Sequence, residues 1–340
     1  MFNSLQLGRA VAALLVVMHH ATLGSEYFYD EAFGGFWGFG NIGVDFFFVL
    51  NGFIIYWAHK NDEGGSYNAR IYAKKRFYRL YPAFIPVSIA MLALYSVIPS
   101  LSESGRDISI LSSLFLIPSA YGSPALSVSW TLMHEFLFYL VFSVSFISKR
   151  LFWLAIALWS AVILIAPLLT IEGVYFKFLF SMHNIQFTLG VVAALSWHRL
   201  IGVSGAKWHF PVMGAATLML LLAAGFDVAG DGYSKLITGL FFALVILILI
   251  TMENSGLFVS IFNSKLFLFL GASSYSIYLM HNPLLSVMNR LGGRLYKEFL
   301  VPPELIFSGA VVISVIAGAI YYKVWEKPVL IFSKKRLIRN

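Results

Sequence analysis

Arg9 and His20 stand eleven residues apart in one apolar run, LGRAVAALLVVMHHATLG, at residues 7–24. An α-helix advances about 100° and 1.5 Å per residue, so the two side chains fall within about 20° of one another and about 16 Å apart. His19 points about 80° away from Arg9 by the same geometry, which makes it a neighbour of the stripe rather than a member. An imidazole can take a proton from a hydroxyl, and a guanidinium can hold a phosphate or a polarised carbonyl. Three further ionisable residues sit in apolar surroundings: Asp45 in NIGVDFFFVLNGF, Glu135 in SVSWTLMHEFLFY and His281 in GASSYSIYLMHNP. The run KKRFYRLYP gathers Lys75, Arg76 and Arg79. Arg and Lys in such a cluster suit a polyanion, although a basic run beside a span is also the ordinary anchor to anionic lipid. His183 in SMHNIQF reads as polar contact between helices, and His59, His198 and His209 fall at loop edges.

The elements that position these groups follow from composition. The chain has 340 residues, of which 59% are hydrophobic and 12% charged, and its mean hydropathy is +0.80. Apolar stretches of close to 20 residues recur, so the fold class is all-α: a polytopic helical membrane protein. The alternating ten-residue segments of a membrane β-barrel are absent. We place about ten transmembrane helices at 5–23, 41–58, 80–98, 128–148, 151–170, 175–197, 208–226, 233–252, 265–288 and 305–324. The segment 108–120, interrupted by Pro118, reads as interfacial. The first span lacks the basic start and small-residue cleavage site of a signal peptide, so it reads as retained. No soluble domain or internal repeat is visible, and residues 1–340 read as a single integral-membrane domain.

Lys and Arg placement sets the orientation. Lys60, Arg70, Lys74, Lys75, Arg76 and Arg79 follow the second span, Lys149 and Arg150 follow the fourth, and the tail holds Lys323, Lys327, Lys334, Lys335, Arg336 and Arg339. Alternate loops carry Glu26, Asp30, Glu31, Glu103, Asp107, Glu172, Asp227 and Asp231. Both termini are therefore expected in the cytoplasm. The net charge of +8 follows from the same rule and gives no reason to expect a nucleic-acid partner. Zero cysteines exclude disulfides, thiolate metal sites and a Cys nucleophile, and no metal is expected. Arg290, Arg294 and Lys297, after the ninth span, are an exception on the expected outer side and favour an acidic ligand there. In this orientation Arg9 lies towards the cytoplasm, whereas His20, Asp45, Glu135 and His281 lie in the outer half. The pattern suggests a phosphorylated donor entering from the cytoplasm and proton transfer further out.

In combination the motifs resemble the integral-membrane acyltransferase family 3, which includes O-acetyltransferases of bacterial surface and exported polysaccharides. The resemblance runs in order along nearly the whole chain. It comprises Arg9 with His20, Asp45 with FFFVLNGF, and Arg76 and Arg79 with Pro82. It continues with Trp130, Glu135 and Tyr139 in WTLMHEFLFY, then Ser274, Tyr275, Tyr278, His281 and Pro283, and closes on Glu326 and Pro328. Asn51 stands where many relatives carry Ser, and the chain is similar to the stand-alone form without an extracytoplasmic esterase-like domain. The resemblance implies transfer of an acyl group, usually acetyl, from cytoplasmic acyl-CoA to a hydroxyl of a glycan or lipid-linked sugar. It implies residence among the lipids of the bacterial cytoplasmic (inner) membrane. It implies His20 as general base or transient acyl carrier, with Glu135 or Asp45 orienting it and Arg9 steadying the thioester or pantetheine. Arg76, Arg79 and Lys75 would hold the CoA phosphates, and His281, Tyr275, Trp130 and Asn51 would meet the acceptor. Two other classes fit the residues alone. One is a proton-coupled secondary transporter with His20 and Glu135 as relay groups; the other is a non-catalytic subunit of a polysaccharide assembly complex.

Overall fold

The computed structural model describes residues 2–102, 107–200, 214–219 and 232–339. Among them, ten helices of thirteen residues or more form the frame. They are α1 (Asn3–Phe28), α2 (Ile42–His59), α3 (Ser66–Val97), α4 (Trp130–Ser143), α5 (Lys149–Ile165), α6 (His183–Leu200), α7 (Ser234–Asn254), α8 (Lys265–Phe299), α9 (Pro303–Tyr321) and α10 (Lys327–Arg339). A π-helical turn, Tyr322–Glu326, joins the last two. Among the described residues, eight helical segments are long and apolar enough to cross a membrane, and the chain is a multi-pass membrane protein.

These eight coincide with eight of the expected spans. The expected span 208–226 lies mostly outside the described residues, as do His209, Glu103, Asp227 and Asp231. The helix α8 contains the expected span 265–288 and is 35 residues long. Buried Ser273, Ser274, Ser276, His281 and Asn289 dilute its apolar content. Two helices outrun their expected ends. The basic stretch before residue 80 is part of α3 and not a loop, and Arg290, Arg294 and Lys297 ride on α8. Pro82, Pro86 and Pro283 lie inside these helices without ending them, which is tolerated where neighbouring helices hold the chain in place.

The chain resolves into two compact units, each built from separated segments. The first comprises Met1–Gln6, Val44–Lys74 and Thr131–Ser264. Its centre is a crossing of α2 and α6 at two glycines. A Cβ on Gly52 would lie 2.0 Å from the Phe187 carbonyl oxygen, and one on Gly190 would lie 2.0 Å from that of Val49. Small residues let membrane helices approach backbone to backbone. Phe138 and Phe187 stack beside this crossing with ring centroids 4.7 Å apart, and Tyr72 donates to the Tyr139 carbonyl at 3.1 Å.

The second unit comprises Leu7–Gly43, Lys75–Trp130 and Lys265–Asn340. Here α1 and α8 run parallel: Arg9 meets Ser274, His20 meets His281 and Tyr29 meets Asn289, in rising order along both. Tyr275 ties α8 to α3 by donating to the Leu80 carbonyl at 2.9 Å, and Tyr321 of α9 donates to Ala83 at 2.8 Å. The parallel pair is what positions the site.

Gly52→Ala tests the α2–α6 crossing. The added methyl meets a backbone oxygen that cannot swing aside, so the variant should lose about 1–3 kcal/mol of stability, read as earlier unfolding of the detergent-solubilised protein on heating.

Candidate active site

The site begins with two imidazoles whose protons are fixed by backbone. His20 Nδ1 lies 3.0 Å from the Val16 carbonyl, one turn back in α1. His281 Nδ1 lies 2.6 Å from that of Tyr278. A carbonyl only accepts, so each neutral ring carries its proton on Nδ1 and its lone pair on Nε2. The two rings meet at a centroid distance of 5.0 Å and an angle of 67°. His281 is fully buried, and its Nε2 has no hydrogen-bond partner among the described residues. His19 packs edge-on against His20 at 5.1 Å and donates from Nδ1 to Gly38 at 2.7 Å, so it is the neighbour that the helical geometry predicts.

A cavity of about 1060 Å³ adjoins His20, lined wholly from the second unit. Its walls are the stripe His20, Gly24 and Phe28 on α1 and the stripe Asn282, Ser286 and Asn289 on α8. Gly24 keeps this wall open, because a Cβ there would lie 1.8 Å from Asn289 Nδ2. Tyr29 donates to Asn289 Oδ1 at 3.3 Å. Burial pushes the Tyr29 phenol up to about 12, so it remains a donor across the physiological range. Asn282 donates to Ser127. Amides and hydroxyls of this kind orient polyhydroxyl ligands.

The arginines gather on the stretch preceding the histidines. Arg9 donates from Nε and Nη2 to Ser274 Oγ at 3.2 and 3.0 Å. Arg79 Nη1 pairs with Glu326 Oε1 at 2.6 Å, and Ser276 donates to the other carboxylate oxygen at 2.6 Å. Glu326 is buried, so the sequence motifs around Arg79 and Pro328 are two halves of one ion pair. Arg79 also lies over the Tyr275 ring at 5.2 Å. Lys75 is exposed and Arg76 half-buried on the same helix. Tyr275 itself is buried with its hydroxyl bound to backbone, so it braces helices, whereas Trp130, at 38% exposure, stands at the start of α4.

The remaining candidates belong to the first unit. Asp45 is buried; Gln186 Nε2 donates to Oδ1 at 2.9 Å and Lys235 Nζ to Oδ2 at 3.3 Å. Glu135 is half-buried and accepts the Tyr139 hydroxyl. Asn51 is half-buried beside the Gly52 crossing. His183 neighbours a buried His134–Asn184 hydrogen bond of 2.8 Å, in keeping with polar contact between helices. Lys235 and Asn289 were not singled out by sequence reasoning. A lone cation entering the apolar helix α7 was the available signal for Lys235, because such a charge needs a partner. Among the described residues no three His, Asp or Glu side chains gather as a metal site would require.

Comparison with known proteins matches residues 2–323 to the family described as "Acyltransferase domain". The chain belongs to this acyltransferase family. It is similar to the exopolysaccharide production protein ExoZ of Rhizobium meliloti, 26% identical over 88% of this chain and 92% of ExoZ. It is also similar to the acyltransferase MdmB of Streptomyces mycarofaciens, 25% identical over 94% of this chain and 89% of MdmB. Against the peptidoglycan O-acetyltransferase OatA of Listeria monocytogenes, identity is 27% over 82% of this chain, which spans about half (48%) of OatA. No solved structure matches the chain. Family membership makes this a membrane-bound acyltransferase and sets it apart from the transporter and assembly-subunit classes.

A double-mutant cycle on Arg79 and Glu326 checks the ion pair. Arg79→Met strands a buried carboxylate and should cost about 3–5 kcal/mol, whereas Arg79→Met with Glu326→Leu should cost much less than the two single changes added together. Thermal unfolding in detergent reads the difference.

Proposed function

We propose that this acyltransferase moves an acyl group, acetyl foremost, from acyl-CoA at the cytoplasmic face to a hydroxyl of a surface or exported glycan. Its place is the bacterial cytoplasmic membrane, with both termini inside. The observation that supports this most directly is the state of His20. Its proton is held on Nδ1 by the Val16 carbonyl, which leaves the Nε2 lone pair as the ring's acceptor at the wall of a polar cavity.

The step balances on that nitrogen. A glycan hydroxyl gives its proton to His20 Nε2 as its oxygen bonds to the thioester carbonyl carbon. The carbon–sulfur bond then breaks, the imidazolium returns the proton to the departing sulfur, and free CoA thiol and an O-acyl ester result. His281 acts as a positioning residue, since its ring packs against His20 and limits its rotation. Arg9 and Arg76, with Lys75 at the surface, take the phosphates and pantetheine of the donor, because guanidinium groups hold phosphate by charge-assisted hydrogen bonds. Arg79 serves the same region through its pair with Glu326. Trp130 and Asn51 are assigned to the acceptor, and Asp45 and Glu135 to holding the first unit in its working form. The names of ExoZ and OatA, which concern an exopolysaccharide and peptidoglycan, support a glycan acceptor.

His20→Ala should lower thiol release from acetyl-CoA in the presence of acceptor by about 100-fold or more, with the protein still monodisperse and folded. Normal turnover in a folded His20→Ala protein removes the general base. Arg76→Ala should weaken acetyl-CoA binding roughly tenfold and reduce its salt dependence. Unchanged affinity assigns that arginine to lipid anchoring.

A further inference from the structure

Arg290 is the one strong cation on the lining of the His20 cavity, and among the described residues it has no acid to pair with. Among the described residues its guanidinium makes one hydrogen bond, from Nη2 to the Leu101 carbonyl at 3.2 Å. It lies 5.3 Å over the Phe28 ring. Its Nε is buried without a hydrogen-bond partner among the described residues. Asp107 lines the same cavity but lies beyond ion-pair distance of Arg290. An unpaired guanidinium in such a place is costly in the empty site and gains most from a ligand that brings its own negative charge. The guanidinium keeps N–H donors beyond the one given to Leu101, and a carboxylate is a strong acceptor for them.

The parallel helices fix where that charge must sit. Phe28 lies eight residues beyond His20 on α1, and Arg290 nine beyond His281 on α8, so the guanidinium stands about 12–14 Å along the pair from the two histidines. One pyranose ring does not span that separation. The lining between the two ends is Gly24, Asn282, Ser286 and Asn289, with Tyr27 at the outer end, which is hydrogen-bonding and aromatic surface of the kind that sugars take.

We propose that the cavity is an acceptor subsite for an acidic glycan: Arg290 grips the carboxylate of one sugar while a neutral neighbour presents its hydroxyl to His20. The inference rests on the acyl-transfer reading above and adds the substrate class and a specificity residue. It also explains why a basic residue is placed at the expected outer end of α8, where orientation alone gives it no reason to be.

The test uses the full-length protein in detergent with two probes, a glucuronate-containing oligosaccharide and its carboxyl-reduced neutral form. Binding is read by calorimetry and transfer by thiol release from acetyl-CoA. Wild type should prefer the acidic probe by about tenfold or more in both readouts. Arg290→Gln should collapse that ratio towards one, and Arg290→Lys should restore part of it, since it keeps the charge but lacks the guanidinium donors. A ratio taken within one preparation is insensitive to the fraction folded. Equal or absent binding of the two probes, or a preference that survives in Arg290→Gln, overturns the subsite. Selective binding of the acidic probe with no thiol release keeps the subsite and overturns the acyl-transfer reading. An isoprenoid pyrophosphate without sugar serves as a third probe. If it competes as well as the acidic oligosaccharide, the anion that Arg290 takes is a pyrophosphate and the carboxylate assignment fails.

Discussion

In hydrocarbon an ionisable side chain must find a partner or serve a purpose, because neither lipid nor a loose backbone can solvate it. That constraint organises this chain. Asp45 is held by Gln186 and Lys235, Glu326 by Arg79 and Ser276, and Arg9 by Ser274. Each of these contacts joins segments far apart in sequence, so the charges that are costly in lipid also fix which helices lie together. Two of the buried nitrogens left without a hydrogen bond among the described residues, His281 Nε2 and Arg290 Nε, stand beneath the inner end of the His20 cavity and at its outer end.

The parallel α1–α8 contact turns that constraint into a site. Parallel helices keep residue order, so a stripe on one faces the matching stripe on the other, and the cationic, imidazole and amide zones follow one another without a break. Gly24 and the buried Asn289 set the spacing, and backbone carbonyls set the tautomers. Within the second unit, the Val16 carbonyl holds the Nδ1 proton of His20 and the His281 ring packs against it. The two glycines at the α2–α6 crossing show the same economy in the first unit. The FFFVLNGF stretch owes part of its character to a helix contact, in which Gly52 admits the Phe187 carbonyl.

Several family motifs acquire distinct physical meanings once their partners are visible. Arg79 and Glu326 belong together, Tyr275 is a brace between α8 and α3, and the fully buried His281 ring packs against His20. Arg76, half-buried on α3, is the member of the basic run that the proposed function sets against phosphate. The proposed division of labour places donor recognition at the arginines, proton transfer at His20 and acceptor recognition beyond it.

The class of the protein, eight of its spans and the Arg9–His20 stripe were legible in the sequence, because hydrophobic length and helical periodicity are local properties of the chain. The order of motifs was legible for the same reason. Local pattern could not say that the basic stretch before residue 80 and the residues after 288 are helical, because the neighbours that stabilise those turns lie elsewhere in the chain. Nor could it pair Arg79 with Glu326 or Asp45 with Lys235, or bring His281 against His20. Those choices depend on which helix faces share a unit, and on the room that Gly24 and Gly52 leave for a side chain or a carbonyl from another segment. Sequence alone determined what must be buried and on which face; tertiary structure decided what it would be buried against.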